Sequence, residues 1–136
     1  MGLDTSHNCW HGPYSTFYHW RKEIARAAGL PPLELMEGFF ESESPHGNPW
    51  FLHREGKKSL EERLPIKWES LKPSPLHALL NHSDCDGELR WQDCGEIAKV
   101  LSEALPRVSK EWQDETIQFI AGLLSAHQVR ENVDFH

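Results

Sequence analysis

The chain has 136 residues, enough for one hydrophobic core, and reads as a single domain over 1–136. A net charge of −7 argues against a nucleic-acid backbone or an anionic membrane surface as main partner, since both need clustered positive charge. Hydrophobic residues make up 38% without any run of membrane-spanning length, and MGLDTSHNCW has neither a basic start nor an apolar stretch, so a cytoplasmic protein is expected.

Six tryptophans and six phenylalanines make the apolar part bulky, which predicts a core built on a few large aromatic anchors. Cys9, Cys85 and Cys94 are an odd count and are expected as reduced thiols. Nine histidines are the compositional oddity, and they cluster.

The chain opens with Asp4, His7, Cys9, Trp10 and His11 in one short run. His7, Cys9 and His11 would share one side if extended, and zinc accepts both residue types. A fourth ligand at a defined distance is not evident, and the alternative is a hydrogen-bonded, aromatic-lined cap. Gly12-Pro13 breaks the run. Ser15 is the expected N-cap of a helix over Thr16–Ala28, closed by Gly29. Phe17, Trp20, Ile24, Ala27 and Ala28 form its apolar stripe, while His19, Arg21, Lys22 and Arg26 read as a solvated basic face.

Pro31-Pro32 opens a short helix over Leu33–Met36. Residues 37–48 form a loop rich in turn formers, Pro49–His53 a short strand, and Leu60–Leu64 one helical turn, with Trp68 anchoring the return to the core. This middle segment is long and irregular for a compact domain, and its aromatics argue that it is packed and functional.

Ser74 and Pro75 start a helix that leads into HSDCDGELRWQD (82–93). This stretch fits the frame of an EF-hand loop, with oxygen-bearing residues at the third, fifth and twelfth places, Gly87 at the sixth and an aliphatic at the eighth. Two places depart from a good calcium binder. His82 stands where a carboxylate opens the loop, and Asp93 replaces the bidentate glutamate that closes it. Either His82, Asp84, Asp86 and Asp93 hold a divalent ion, zinc or manganese sooner than calcium, or the loop is metal-free and its aspartates fix the turn. EF-hands work in pairs, and the sequence contains no second loop.

A helix over Trp91–Ala104 follows, burying Ile97, Val100, Leu101 and Leu105 and ending at Pro106. Ser109 caps a last helix reaching about His127, with Trp112, Ile117, Ile120, Leu123 and Leu124 inward, and the tail after it is polar except for Val129, Val133 and Phe135. The expected fold is mainly α: a small single domain of about four to five helices, with an aromatic-rich irregular middle segment and an EF-hand-like loop.

The stretches GLDTSHNCWHGPYSTFYHWR, PHGNPWFLHREG and LLNHSDCDGEL resemble a family of small uncharacterised proteins met in bacterial and bacteriophage genomes, nearly end to end. The resemblance implies a bacterial cytoplasm, or a host cytoplasm if phage-encoded, and supplies no catalytic residues.

Three functional readings stand. The first is a binding protein that sequesters an anionic, nucleotide-like small molecule or a host factor. Its expected contacts are Trp10, His11, His46, Trp50, His53, Arg54, Lys57 and Lys58, because aromatics stack a base and cations neutralise phosphate. The second is a metal-dependent hydrolase in which His82, Asp84 and Asp86 meet His7 or His11, with Glu88 or Glu55 as general base. The third is an acidic protein-interaction module facing a basic partner. Oligomeric state is not legible.

Overall fold

The computed structural model describes residues 2–36, 39, 66–82 and 87–136. Strand β1 (Gly2–Asp4) pairs antiparallel with β2 (His11–Pro13), Leu3 lying opposite Gly12. Between them Ser6–Asn8 forms a 3-10 turn in which His7 and Asn8 both take φ 58. Non-glycine residues rarely adopt this left-handed region, so neighbours must hold them there. Gln118 Nε2 donates to Asn8 O at 3.0 Å, His7 Nε2 meets Glu131 at 3.1 Å, and the Asp134 N–H donates to Ser6 Oγ at 2.8 Å.

Helix α1 (Tyr14–Ala27) begins directly after Pro13, whose extended ψ of 148 makes it the N-cap in place of the expected Ser15. It ends as predicted at Gly29, with φ 77. Phe17, Trp20, Ile24 and Ala27 are buried, as their spacing requires. Phe17 and Trp20 join Trp10 and Phe119 in a ring cluster, with Trp20 and Phe119 centroids 4.7 Å apart. Each fully buried side chain of this size stabilises by roughly 1.5–3 kcal/mol. The Trp20 indole N–H donates to Thr116 Oγ1 (2.9 Å), which donates to Trp112 O (2.7 Å), so these polar atoms are satisfied inside the core.

Arg21 corrects the sequence reading. It is buried, not part of a solvated face. Its guanidinium lies 4.5 Å from the Phe17 ring centroid and donates to Leu80 O (3.2 Å) and His82 O (2.6 Å). The helical wheel places Arg21 beside Trp20 at the edge of the apolar stripe, and carbonyls from a distant helix end make its burial tolerable.

A 3-10 turn at Leu33–Leu35 replaces the expected short helix, and Met36 forms a parallel bridge with Ile66. Trp68 is buried in a 3-10 turn, Trp68–Ser70, as the anchor expected of it. The predicted strand Pro49–His53 and turn Leu60–Leu64 lie outside the described residues. Helix α2 (Leu76–Leu80) follows, with Ser74 Oγ accepting the Leu76 N–H at 3.2 Å. Then come β3 (Glu88–Leu89), α3 (Trp91–Ala104) and, after a 3-10 turn at Lys110–Trp112, α4 (Gln113–Val129). The mainly α expectation holds, with four α-helices among the described residues.

Helices α3 and α4 form the most extensive helix pair. The inner face of α4 is Thr116, Phe119, Gly122, Leu123 and Ala126, whereas Ile117 and Leu124, expected inward, are about half exposed at 51% and 50%. Gly122 takes an inner position because the N-terminal turn docks there. A Cβ on Gly122 would stand 2.5 Å from Cys9 Sγ and 2.8 Å from His7 O. Two of the tail's three apolar residues go to the core. Val133–Asp134 forms β4, antiparallel to β3, and Val133 and Phe135 are buried.

Gly122→Ala is therefore expected to cost about 1–3 kcal/mol, because the methyl overlaps backbone and a buried thiol; urea denaturation reads it directly. A second expectation concerns acid. Glu23 accepts from Arg26 Nε (2.7 Å), Arg26 Nη2 (2.6 Å) and the Ser109 N–H (2.6 Å). These bonds, Arg26's first, lower its carboxyl from the ordinary 4.5 to about 2. The stabilisation is present above 4.5 and lost as pH falls through about 2. Glu23→Gln should lose about 1 kcal/mol at neutral pH, discounted because Arg26 is solvated, and the difference from the parent protein should shrink toward zero across that acid window.

Candidate functional site

Residues of β2 and the residues just before it lie against α1 and α4 around a cleft of about 160 Å³. Its lining includes Trp10, His11, Gly12, Thr16, Glu115 and Gln118. Two of the expected ligand-contacting residues, Trp10 and His11, neighbours in sequence, lie on this lining. His46, Trp50, His53, Arg54, Lys57 and Lys58 lie outside the described residues, as do Glu55, Asp84 and Asp86.

Trp10 is only 4% exposed, with ring centroids 5.1 Å from Phe17 and 5.3 Å from Trp20. Its backbone is fixed too. The Trp10 N–H donates to Thr5 Oγ1 (2.9 Å), and Trp10 O accepts the Thr5 N–H (3.0 Å). The indole Nε1, in contrast, is buried without a hydrogen-bond partner. Gly12 lies beside it, where an added Cβ would make ordinary contact at 3.6 Å from Nε1. Glu115 presents the opposite need, since its Oε1 is buried and also lacks a partner. An unmet donor and an unmet acceptor therefore belong to side chains lining one cleft. Leaving either bare costs roughly 1–3 kcal/mol.

His11 is exposed, and its Nδ1–H donates to Asp4, which fixes the tautomer and leaves Nε2 as the ring's remaining polar atom. Cys9 lines the cleft but is no nucleophile. Burial pushes its thiol up to about 12, and that of Cys94 to about 11, so both stay protonated at neutral pH. The His7, Cys9, His11 pattern does not converge on one point: His7 turns to Glu131, His11 to Asp4, and Cys9 into the core. Among the described residues no group of three or more histidine, cysteine, aspartate or glutamate side chains stands together as a metal set.

Only the ends of the acidic loop are described. Gly87 at the sixth place takes φ 87, as the frame requires, and Leu89 at the eighth pairs with Val133. His82 Nε2 donates to Glu88 O at 3.0 Å, and its ring centroid lies 4.1 Å from that of Phe135. Asp93 accepts from Arg90 Nε at 3.0 Å and Nη2 at 3.4 Å. Both expected metal-ligating residues in the described part are engaged by protein partners.

A larger groove of about 550 Å³ is lined by His19, Lys22, Glu23, Arg26, Glu34 and Trp112, among others. Within it Lys22 meets Glu34 at 3.6 Å and Arg26 meets Glu23 at 2.6 Å. Sequence reasoning missed Thr16, Glu115 and Gln118. The available signal for Glu115 was its position one turn before Phe119, on the edge of the buried face of α4.

Gly87→Ala is expected to destabilise by about 1 kcal/mol or more, because a side chain at positive φ is strained. The added Cβ would also come to 3.3 Å from His82 Cε1. An unchanged melting temperature would mean that this turn is not held in solution. Comparison with protein-family models, characterised proteins and solved structures finds no match for the chain.

Proposed function

We propose that this protein binds a small molecule in the cleft bounded by Trp10, His11, Thr16 and Glu115, and that it does so without chemistry. The observation that carries this reading is the cleft of about 160 Å³ itself, with the Trp10 side chain, His11, Thr16 and Glu115 on its lining. A concave site with few polar groups set in an aromatic wall is the usual form of a small-ligand pocket. Catalysis is disfavoured by the protonated, buried Cys9 and by the separate engagement of His7, His11 and His82. A nucleotide-like anion would draw on Trp50, Arg54, Lys57 and Lys58, so the cleft supports the binding role without supplying that anion site.

Ligand present at about a hundred times its dissociation constant stabilises by about 2.7 kcal/mol, which raises the melting temperature of a domain of this size by on the order of 5–10 °C. In a thermal-shift screen of small metabolites, the expected hits stabilise the parent protein and fail with Trp10→Phe, which keeps an aromatic ring but removes the N–H. Thr16→Val gives a second reading at the cleft wall should the tryptophan variant fold poorly. Hits that ignore both substitutions, or a screen without hits, would overturn the proposal.

A further inference from the structure

Helix α4 turns a second face outward without the charges that a solvated helix face ordinarily carries. From 116 to 129 the run TIQFIAGLLSAHQV holds no aspartate, glutamate, lysine or arginine, although 26% of the chain is charged. Ile117, Leu124 and Val129 are three of the four large hydrophobic side chains exposed among the described residues, the last at 56%. At about 100° per residue, Ile117, Ala121, Leu124 and Gln128 fall in one narrow arc, opposite the buried Phe119, Gly122 and Ala126. The half-buried Ile120 borders that arc. An uncharged isoleucine–leucine stripe on the outside of a helix marks a contact surface.

Two features select a second copy of this chain as the partner. The first is charge. Each copy carries a net −7, so two copies repel wherever acidic surfaces meet, and this face lets them approach without that cost. A basic partner would be drawn to carboxylates, and 116–129 has none. The second is the order of residues along the helix. If two α4 helices run antiparallel about a two-fold axis, Ile117 stands against the partner's Leu124, and the reverse contact follows by symmetry. The small Ala121 then lies at the axis, where it allows close approach. Exposed Asp114, an acceptor in the first turn, comes level with the partner's Gln128, an amide donor. The two helix dipoles also oppose each other in this arrangement. We infer that the outer face of α4 is a self-association surface on which α4 of a second copy packs antiparallel. One helix pair buries less than a standard interface of about 1,600 Å², so the dimer is a weak one, with a dissociation constant on the order of 0.1 mM.

Sedimentation velocity on the full chain, from about 10 µM to about 1 mM, reads the association. The parent protein is expected to shift from monomer to dimer over that range. Ile117→Lys and Leu124→Glu should each weaken dimerisation at least about tenfold, and an equimolar mixture of the two should regain it. In the mixed pair the new ammonium stands against the new carboxylate, and the other Ile117–Leu124 contact is intact. A parallel pair would set like positions together and gain nothing from mixing. Melting curves by circular dichroism check that both variants are folded, since exposed positions move stability little. Should either unfold, Ala121→Glu sets like charges against each other across the axis and is expected to abolish the dimer alone. A parent protein that stays monomeric to about 1 mM, a dimer that survives the substitutions, or a mixture that does not associate would overturn the inference. So would a monomeric parent strongly destabilised by these changes, which would mean that the face is covered within one chain.

Discussion

The described fold depends on where residues 131–136 dock. This short segment meets the backbone and side-chain needs of several distant parts at once. His136 and Asp4 exchange both backbone bonds, at 2.8 and 2.9 Å, and Thr5 bridges Phe135. On the other side the Phe135 N–H donates to Gly87 O, and β4 pairs with β3. Asn132 Oδ1 accepts the Trp91 N–H at 2.9 Å, which caps α3 from forty-one residues away. Arg90 at the N-cap position has no side-chain acceptor for that role, so the cap must come from elsewhere. The tail therefore joins the N-terminal ribbon to the acidic loop.

Arg21 makes the second long-range tie. A buried guanidinium is costly unless its donors find acceptors, and the free carbonyls at the end of α2 supply them. The arrangement also suits the negative end of that helix. Consequently the first turn of the acidic loop starts from a point pinned to α1. A protein cation stands at this position, and it binds the backbone carbonyls of Leu80 and His82.

The cleft lies where the structure departs from local preference. Two consecutive non-glycine residues hold left-handed backbone just before Cys9 and Trp10, and α4 accepts this turn through Gly122. Packing there is dense on the core side, where Trp10 meets Phe17 and Trp20. On the other side it leaves two polar atoms unmet. Proteins concentrate such local violations at functional sites, where a rigid surround keeps a polar group bare for a partner. The rigid surround here is the aromatic cluster, which fixes the indole plane and hence the direction of its N–H.

Sequence alone determined the local elements. The three-and-four spacing of Phe17, Trp20 and Ile24 defined α1, Gly29 its end, and Pro106 the end of α3, because periodicity and backbone restriction act within one turn. Gly87 was legible for the same reason: the sixth place of the loop demands a conformation that favours glycine. What only the tertiary structure decided is how distant segments meet. The burial of Arg21 required carbonyls some sixty residues away, and the polar-looking tail became strand because Gly87, Leu89 and Asp4 offered it backbone partners. The place of Gly122 on the inner face of α4 followed from the approach of the N-terminal turn, which a larger side chain there would block. Trp10 and His11 could be named in advance as flat and donor groups. Their place on one cleft with Glu115, a hundred residues on, is a property of the packed chain, since no local pattern encodes that juxtaposition.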